Sequence, residues 1–214
     1  MKKVNCLILL CVVYTSSILS QENIKPLPYV TFHLGGFLKT EDNFEKVYDS
    51  NLGFAVGGDL GFPLSNSLYI IGNVTYFRKT GTPVFTTYTF NSDGTSSISK
   101  HREGDAKLSQ WFFNLGLEYL FRPSEFLSIG VNGGLAVTTF SERHTLASGD
   151  LSYSAAGGLG RYFIGAGVEQ KIENLPFDIV AEIQYNILKE EVLTSKLSYG
   201  GWNLALGIRK YLSL

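Results

Sequence analysis

The stretch Gln110-Trp111-Phe112-Phe113-Asn114-Leu115-Gly116-Leu117-Glu118-Tyr119-Leu120-Phe121 admits two periods. Gln110, Asn114 and Glu118 recur every four residues, as on one face of a helix. Trp111, Phe113, Leu115, Leu117, Tyr119 and Phe121 share one parity, opposite Gln110, Asn114, Gly116 and Glu118, as on a strand with one apolar face. The rest of the chain decides between them.

Eight segments carry comparable patterns: approximately 28–38, 51–62, 68–79, 108–121, 126–140, 158–172, 177–188 and 198–212. In the second, Leu52, Phe54, Val56, Leu60 and Phe62 oppose Gly53, Ala55, Gly57, Asp59 and Gly61. In the fifth, Leu127, Ile129, Val131, Leu135 and Val137 oppose Ser128, Gly130, Asn132 and Gly134. In the seventh, Ile179, Ala181, Ile183 and Tyr185 oppose Glu182, Gln184 and Asn186. In the eighth, Trp202, Leu204, Leu206 and Ile208 oppose Asn203, Ala205, Gly207 and Arg209. Period two in several segments, with glycines that weaken helices, predicts strands. The first, third and sixth segments alternate less cleanly.

The connections alternate in length. Pro63–Ser67, Arg122–Glu125 and Glu173–Pro176 are tight and carry proline, which presets turns and cannot extend a ladder. The other four, roughly 39–50, 80–107, 141–157 and 189–197, are long and polar. The longest holds a turn, Asn91-Ser92-Asp93-Gly94-Thr95, between Thr86–Phe90 and Ser96–Ile98. Short turns therefore gather at one end and long loops at the other.

A soluble barrel or lipocalin-like carrier would turn its apolar parity inward. Here that parity is rich in large aromatics near strand ends: Phe62, Tyr76, Trp111, Tyr119, Phe121, Tyr185 and Trp202. The opposite parity is mostly small or polar, which suits the confined interior of an eight-stranded barrel. A strand of about 10 tilted residues covers the roughly 25 Å apolar band of an outer membrane. The expected fold class is all-β: an eight-stranded antiparallel up-and-down transmembrane β-barrel. Closure is what hydrocarbon requires, since an open edge would leave backbone groups unpaired.

Composition agrees. Charged residues are 17% of the 214, against about 25% in average soluble domains, and 14% are aromatic. The N-terminus, MKKVNCLILLCVVYTSSILSQ, has Lys2 and Lys3, a short apolar core from Cys6 to Val13, then small and polar residues. It reads as a signal peptide over 1–20, with cleavage after Ser20 or Ser17, ahead of a barrel domain over 21–214. Both cysteines, Cys6 and Cys11, lie within it, so the mature chain would have no disulfide, thiol nucleophile or cysteine metal site. Loss of Lys2 and Lys3 leaves 16 basic residues (18 − 2) against 19 acidic, a formal charge of −3. No basic concentration points to nucleic acid.

The chain resembles the small outer-membrane β-barrel domains of the outer-membrane-protein-A and X type over roughly residues 27–214. The resemblance rests on the architecture, the signal peptide and the last strand, Gly201 to Leu214. It implies location in the outer membrane, both termini periplasmic, four long loops outside, and a stand-alone barrel. It also implies contact with lipid and lipopolysaccharide, and insertion by the barrel-assembly machinery. That machinery commonly reads a terminal aromatic; here the last residue is Leu214, and Tyr211 is the nearby aromatic. No cofactor or catalytic residue is implied.

Asp59, Glu118, Glu169, Glu182 and Arg209 fall on the inward parity, with Arg161 and Lys171 less clearly so. In a sealed lumen each charge needs a partner. Pairing the last two strands around residue 194 sets Glu182 roughly opposite Arg209, with Glu169 nearby, so the expectation is an ion-pair network that plugs the barrel. A polar pore lining is the alternative. His33, His101 and His144 are too scattered for a metal motif. Ser141-Glu142-Arg143-His144 has residue types found in lipid-modifying barrels, without a catalytic signature. Loop 80–107 is a candidate for binding an extracellular partner. The expected role is structural, adhesive or envelope-interacting, with a narrow porin as the alternative and a lipid-modifying enzyme behind it.

Overall fold

The computed structural model describes residues 26–40, 44–90, 94–146, 148, 151–187, 189–192, 195–198 and 200–213. Residues 1–20, read above as a signal peptide, and Leu214 lie outside them. The strands are β1 (Tyr29–Lys39), β2 (Leu52–Pro63), β3 (Leu68–Gly81), β4 (Val84–Phe90), β5 (Ser96–Arg102), β6 (Asp105–Ser124), β7 (Leu127–Thr145), β8 (Leu151–Lys171), β9 (Asp178–Ile187), β10 (Lys189–Val192), β11 (Ser195–Ser198) and β12 (Gly201–Tyr211). One short helix, α1 (Phe44–Tyr48), lies between β1 and β2.

Eight of these strands close in the order β1-β12-β9-β8-β7-β6-β3-β2, every pair antiparallel. The opening stretch lies wholly in β6, so its period is two. The first and last barrel strands seal the sheet, from Tyr29 opposite Tyr211 to Lys39 opposite Gly201. The start of β1 and the end of β12 share the end of the tight turns (the turn end). At that end the backbone amides of Leu64 and Ser65 both donate to the Leu68 carbonyl, at 2.7 and 3.1 Å. The turn between β8 and β9 places Asn174 at φ 67°, a left-handed conformation that asparagine tolerates.

The long connections are more ordered than loops. α1 occupies the first. β4 and β5 pair as a separate two-stranded sheet in the second; Asn91, Ser92 and Asp93 of the turn read from the sequence lie outside the described residues. The third is mostly strand: β7 and β8 pair out to Thr145 and Leu151. The fourth is the hairpin β10–β11. Gly104, at φ +78°, joins the β4–β5 hairpin to β6; a Cβ there would meet the Thr145 carbonyl oxygen at 1.8 Å.

Polarity is inverted relative to a water-soluble fold. Leu115, Leu135, Ile164 and Leu206 are 60%, 59%, 61% and 67% exposed, whereas Gln110 and Arg209 are 0% and 2% exposed. The inward parity is not only small and polar, as the sequence suggested. Tyr29, Phe37, Tyr69, Phe77, Phe112 and Leu120 are also buried inside. Space for Tyr29, Phe37 and Phe77 comes from glycines on neighbouring strands. A Cβ on Gly61 would lie 2.2 Å from the Tyr29 ring, and one on Gly53 would lie 2.4 Å from Phe77.

The seven singled-out aromatics all lie on the outward face. Phe62, Tyr119 and Phe121 sit near the turn end. Tyr76 and Trp111 pair toward the loop end with ring centroids 4.7 Å apart, and Tyr185 and Trp202 do the same at 4.7 Å. From Trp111 to Phe121 is ten residues along one strand, or about 25 Å after tilting.

Candidate functional site

The lumen is filled in three layers. Nearest the turn end, Arg209 on β12 is the hub. Its Nε donates to Thr31 Oγ1 at 3.0 Å, and its terminal nitrogens donate to Glu169 Oε2 at 3.0 Å and Glu182 Oε1 at 3.2 Å. Glu118 Oε1 lies 3.6 Å from the same guanidinium. The guanidinium carbon stands 3.9 Å over the Tyr29 ring. Two phenols complete the cage: Tyr29 donates to Glu118 at 2.5 Å, and Tyr211 donates to Glu169 at 2.9 and 3.0 Å. Tyr29 packs on Tyr69 and Tyr211 with centroids 5.5 and 5.8 Å apart. A mouth recess of about 350 Å³ opens below, lined by Tyr69, Arg122, Glu169, Arg209 and Tyr211 among others. Arg122 closes its rim, donating to the Asn66 carbonyl at 2.7 Å and Tyr69 Oη at 3.2 Å.

The middle layer centres on Asp59. Asn73 donates to Asp59, His33 Nε2 lies 3.6 Å from the same carboxylate, and Asn114 donates to Asn73 at 3.0 Å. The layer toward the loop end is aromatic. Phe37 stacks on Phe112 at 4.7 Å and tilts against Phe77 at 5.3 Å. Lys39, buried, places its ammonium 5.6 Å over Phe44 and 5.9 Å over Phe37. α1 supplies Phe44 and Tyr48, both buried and stacked at 4.4 Å, so the helix caps this end of the lumen. Tyr48 is clasped to the barrel by its hydroxyl, which donates to Glu142 at 2.6 Å, and Glu142 also meets His144 at 3.0 Å.

The sequence-selected charges divide. Glu118, Glu169, Glu182 and Arg209 meet in one cage; Asp59 belongs to the separate His33–Asn73 cluster. The register differs from the expectation. Asp178, not Glu182, lies directly opposite Arg209, and Glu182 lies opposite Ala205. The hairpin β10–β11 continues the same register, and that pairing, centred close to residue 194, sets Glu182 four residues from the position opposite Arg209; the long arginine side chain spans the offset. Arg161 and Lys171 are exposed. The Ser141 and His144 constellation does not form. Ser141 lies on the outward face with Val137 and Thr139, whereas Glu142 and His144 lie on the inward one. His101 lies on β5, away from the barrel sheet.

Sequence reasoning missed the phenols, Thr31, Lys39, the phenylalanine stack and α1. A signal was present for part of it: Phe112 shares the parity of Gln110 and Asn114, and Phe37 shares that of His33.

A closed, tilted, eight-stranded sheet with an apolar exterior and a packed polar-aromatic lumen has the fold of the small outer-membrane β-barrels. Solved structures agree. The chain is similar to OprG, an outer membrane protein of Pseudomonas aeruginosa, with a TM-score of 0.54 at 9% identity, covering 88% of this chain and 98% of that one. It is similar to the neisserial surface protein A, with a TM-score of 0.52 at 17% identity, covering 86% and 97%. A major outer membrane protein of Thermus thermophilus gives 0.50 at 11% identity, covering 86% and 99%. No family model matches the chain, and no curated protein matches it.

Proposed function

We propose that this chain is an integral outer-membrane protein with periplasmic termini, which presents its loop-end structures at the cell surface in an adhesive or envelope-interacting role. The observation that carries the proposal is the inverted polarity: a continuous apolar exterior around a buried ionic cage. In hydrocarbon that exterior is solvated, and the closed sheet leaves no backbone edge unpaired. The β4–β5 hairpin supports a role in partner binding. It stands apart from the barrel sheet and exposes Phe90 and Ile98 at its far end, apolar side chains of the kind found at protein contacts.

A narrow porin would need a continuous water path. Phe37, Phe77 and Phe112, all buried and in ring contact, stand across it, as do the Arg209 cage and the α1 cap. The test has two arms. Outer-membrane fractions run on SDS gels with and without boiling should show a mobility shift, and recovery as a soluble periplasmic protein would overturn the membrane assignment. The purified barrel in a planar bilayer should give no conductance steps; regular steps would replace the display role with a pore.

A further inference from the structure

The recess at the turn end carries polar groups that the Arg209 cage does not use. Asp178 on β9 lines it, partly buried. Its cross-strand partners are Lys171 and Arg209, yet among the described residues its carboxylate makes no ion pair. Glu169, which holds Arg209 and Tyr211, stands diagonally across from it on β8. Next around the mouth, Ser128 on β7 is 9% exposed, and its hydroxyl has no hydrogen-bond partner among the described residues. Tyr69 on β3 is fully buried. Its oxygen accepts from Arg122 at 3.2 Å, and its own proton meets no acceptor among the described residues. The mouth is therefore divided. Carboxylates occupy the β8–β9 sector, and hydroxyl and guanidinium donors occupy the β7–β6–β3 sector. Leu27, Phe126, Leu175 and Phe177 supply an apolar wall. Lys171 and Glu125, one of each sign, stand exposed at the rim.

We infer that this recess binds a small zwitterion with apolar side chains, a dipeptide with both ends free. Its ammonium group meets Asp178 and Glu169. Its carboxylate meets the Tyr69 and Ser128 hydroxyls and the Arg122 guanidinium, and its side chains lie on the apolar wall. Charge selects this occupant. A ligand with a carboxylate alone is opposed by Glu169 and Asp178, and one with an ammonium group alone by Arg122 and Arg209. A ligand of both signs satisfies both sectors with charge-assisted hydrogen bonds. Three strands separate β9 from β3, so the two charges must stand apart, and two residues span about 7 Å. The recess volume, about 350 Å³, is at the small end for ligand pockets and suits a molecule of that size. The inference rests on the orientation given under Proposed function for the side from which the ligand comes, the periplasm.

The test uses the full-length barrel folded in detergent micelles, where both mouths are open to solution, and titration calorimetry against protein-free micelles. The probe is alanyl-leucine. N-acetyl-alanyl-leucine lacks the ammonium group, and alanyl-leucine amide lacks the carboxylate. A ligand of this size should bind with a Kd of about 0.1–1 mM. Each blocked form should bind about tenfold more weakly, the scale of one hydrogen bond to a charged group. Asp178→Asn should weaken the free dipeptide about tenfold and leave the N-acetyl form no weaker, a coupling that a general loss of structure would not produce. Tyr69→Phe should weaken the free dipeptide about fivefold, and Lys107→Gln, at the loop end, should change nothing. No binding below about 10 mM, or equal binding of the free and blocked forms, overturns the site. Equal losses for the free and N-acetyl forms in Asp178→Asn overturn it as well. The boiling-dependent gel shift separates these failures from that of the membrane reading. A shift without binding keeps the barrel and rejects only the site, and no shift in the parent rejects the membrane assignment.

Discussion

Replacing Arg209 with methionine removes the one cation from a cage that holds three carboxylates while keeping most of its volume. In the native lumen one guanidinium serves three carboxyl groups, lying within 3.0–3.6 Å of all of them. Deleting one partner of a buried ion pair leaves an uncompensated charge and costs about 3–5 kcal/mol. The cation contact with Tyr29 and the bond to Thr31 are lost as well. With a urea dependence of about 2 kcal/mol per molar, a loss of about 4 kcal/mol moves the unfolding midpoint down by about 2 M. The assay is built into the fold. Trp111 and Trp202 both face outward, so unfolding from lipid vesicles transfers both to water and shifts their emission.

The cycle with Glu182→Gln isolates the charge. Glu182→Gln alone relieves part of the acidic excess and should move the midpoint by under about 0.5 M. Arg209→Met/Glu182→Gln should recover about 1–2 kcal/mol of the single-variant loss, the scale of coupling between contacting residues. A midpoint for Arg209→Met within about 0.3 M of the parent, or strictly additive losses, would refute the cage as a stabilising network.

Other substitutions test the packing around it. Gly61→Ala should cost about 1–3 kcal/mol by driving a methyl group into the Tyr29 ring, whereas Gly72→Ala, whose new Cβ meets nothing within 4 Å, should be close to neutral in the same urea titration. Gln110 is fully buried with both amide atoms unpaired, so Gln110→Leu should stabilise by about 1 kcal/mol and raise the midpoint by about 0.5 M; a fall would mean that the amide is satisfied in the membrane. Leu135→Arg, at the middle of the outward face, should lower folded yield in vesicles by the equivalent of about 2–4 kcal/mol, and an unchanged yield would argue against lipid at that position.

What the sequence disclosed follows from what period two encodes. Alternation in β2, β6, β7, β9 and β12 states which side chains share a face, and turn chemistry states where strands end. From these the strand number, the closure and the outward parity follow. Register needs more. Arg209 and Glu182 are placed on one face by parity, but which residue stands opposite which depends on the residue about which the strands turn, and a centre near 194 pairs Glu182 with Ala205 rather than Arg209. The interior aromatics were obscure for a different reason. Phe37 and Phe77 look like breaks in the pattern until Gly201 and Gly53 of the neighbouring strands are set against them. The helix α1 is five residues long, too short for periodicity to register.

The filled lumen also explains how one register is chosen from many. The outward face cannot choose it, because leucine, valine and isoleucine are equally solvated by acyl chains at any offset. A slip of one residue in β12 would turn Arg209 into lipid, at a cost of about 2–4 kcal/mol near the midplane, and would reverse every alternating pair on the strand. A slip of two keeps parity and so escapes that penalty. It is the interior that rejects it: shifting β2 by two against β1 takes Gly61 out from under Tyr29, and shifting β12 by two takes Arg209 about 7 Å along the strand from the acids on β6, β8 and β9. Steric pairs of ring and glycine, together with one cation shared by acids from three strands, thus do for this barrel what a hydrophobic core does for a soluble sheet. Occlusion of the lumen is then a consequence of fixing the fold.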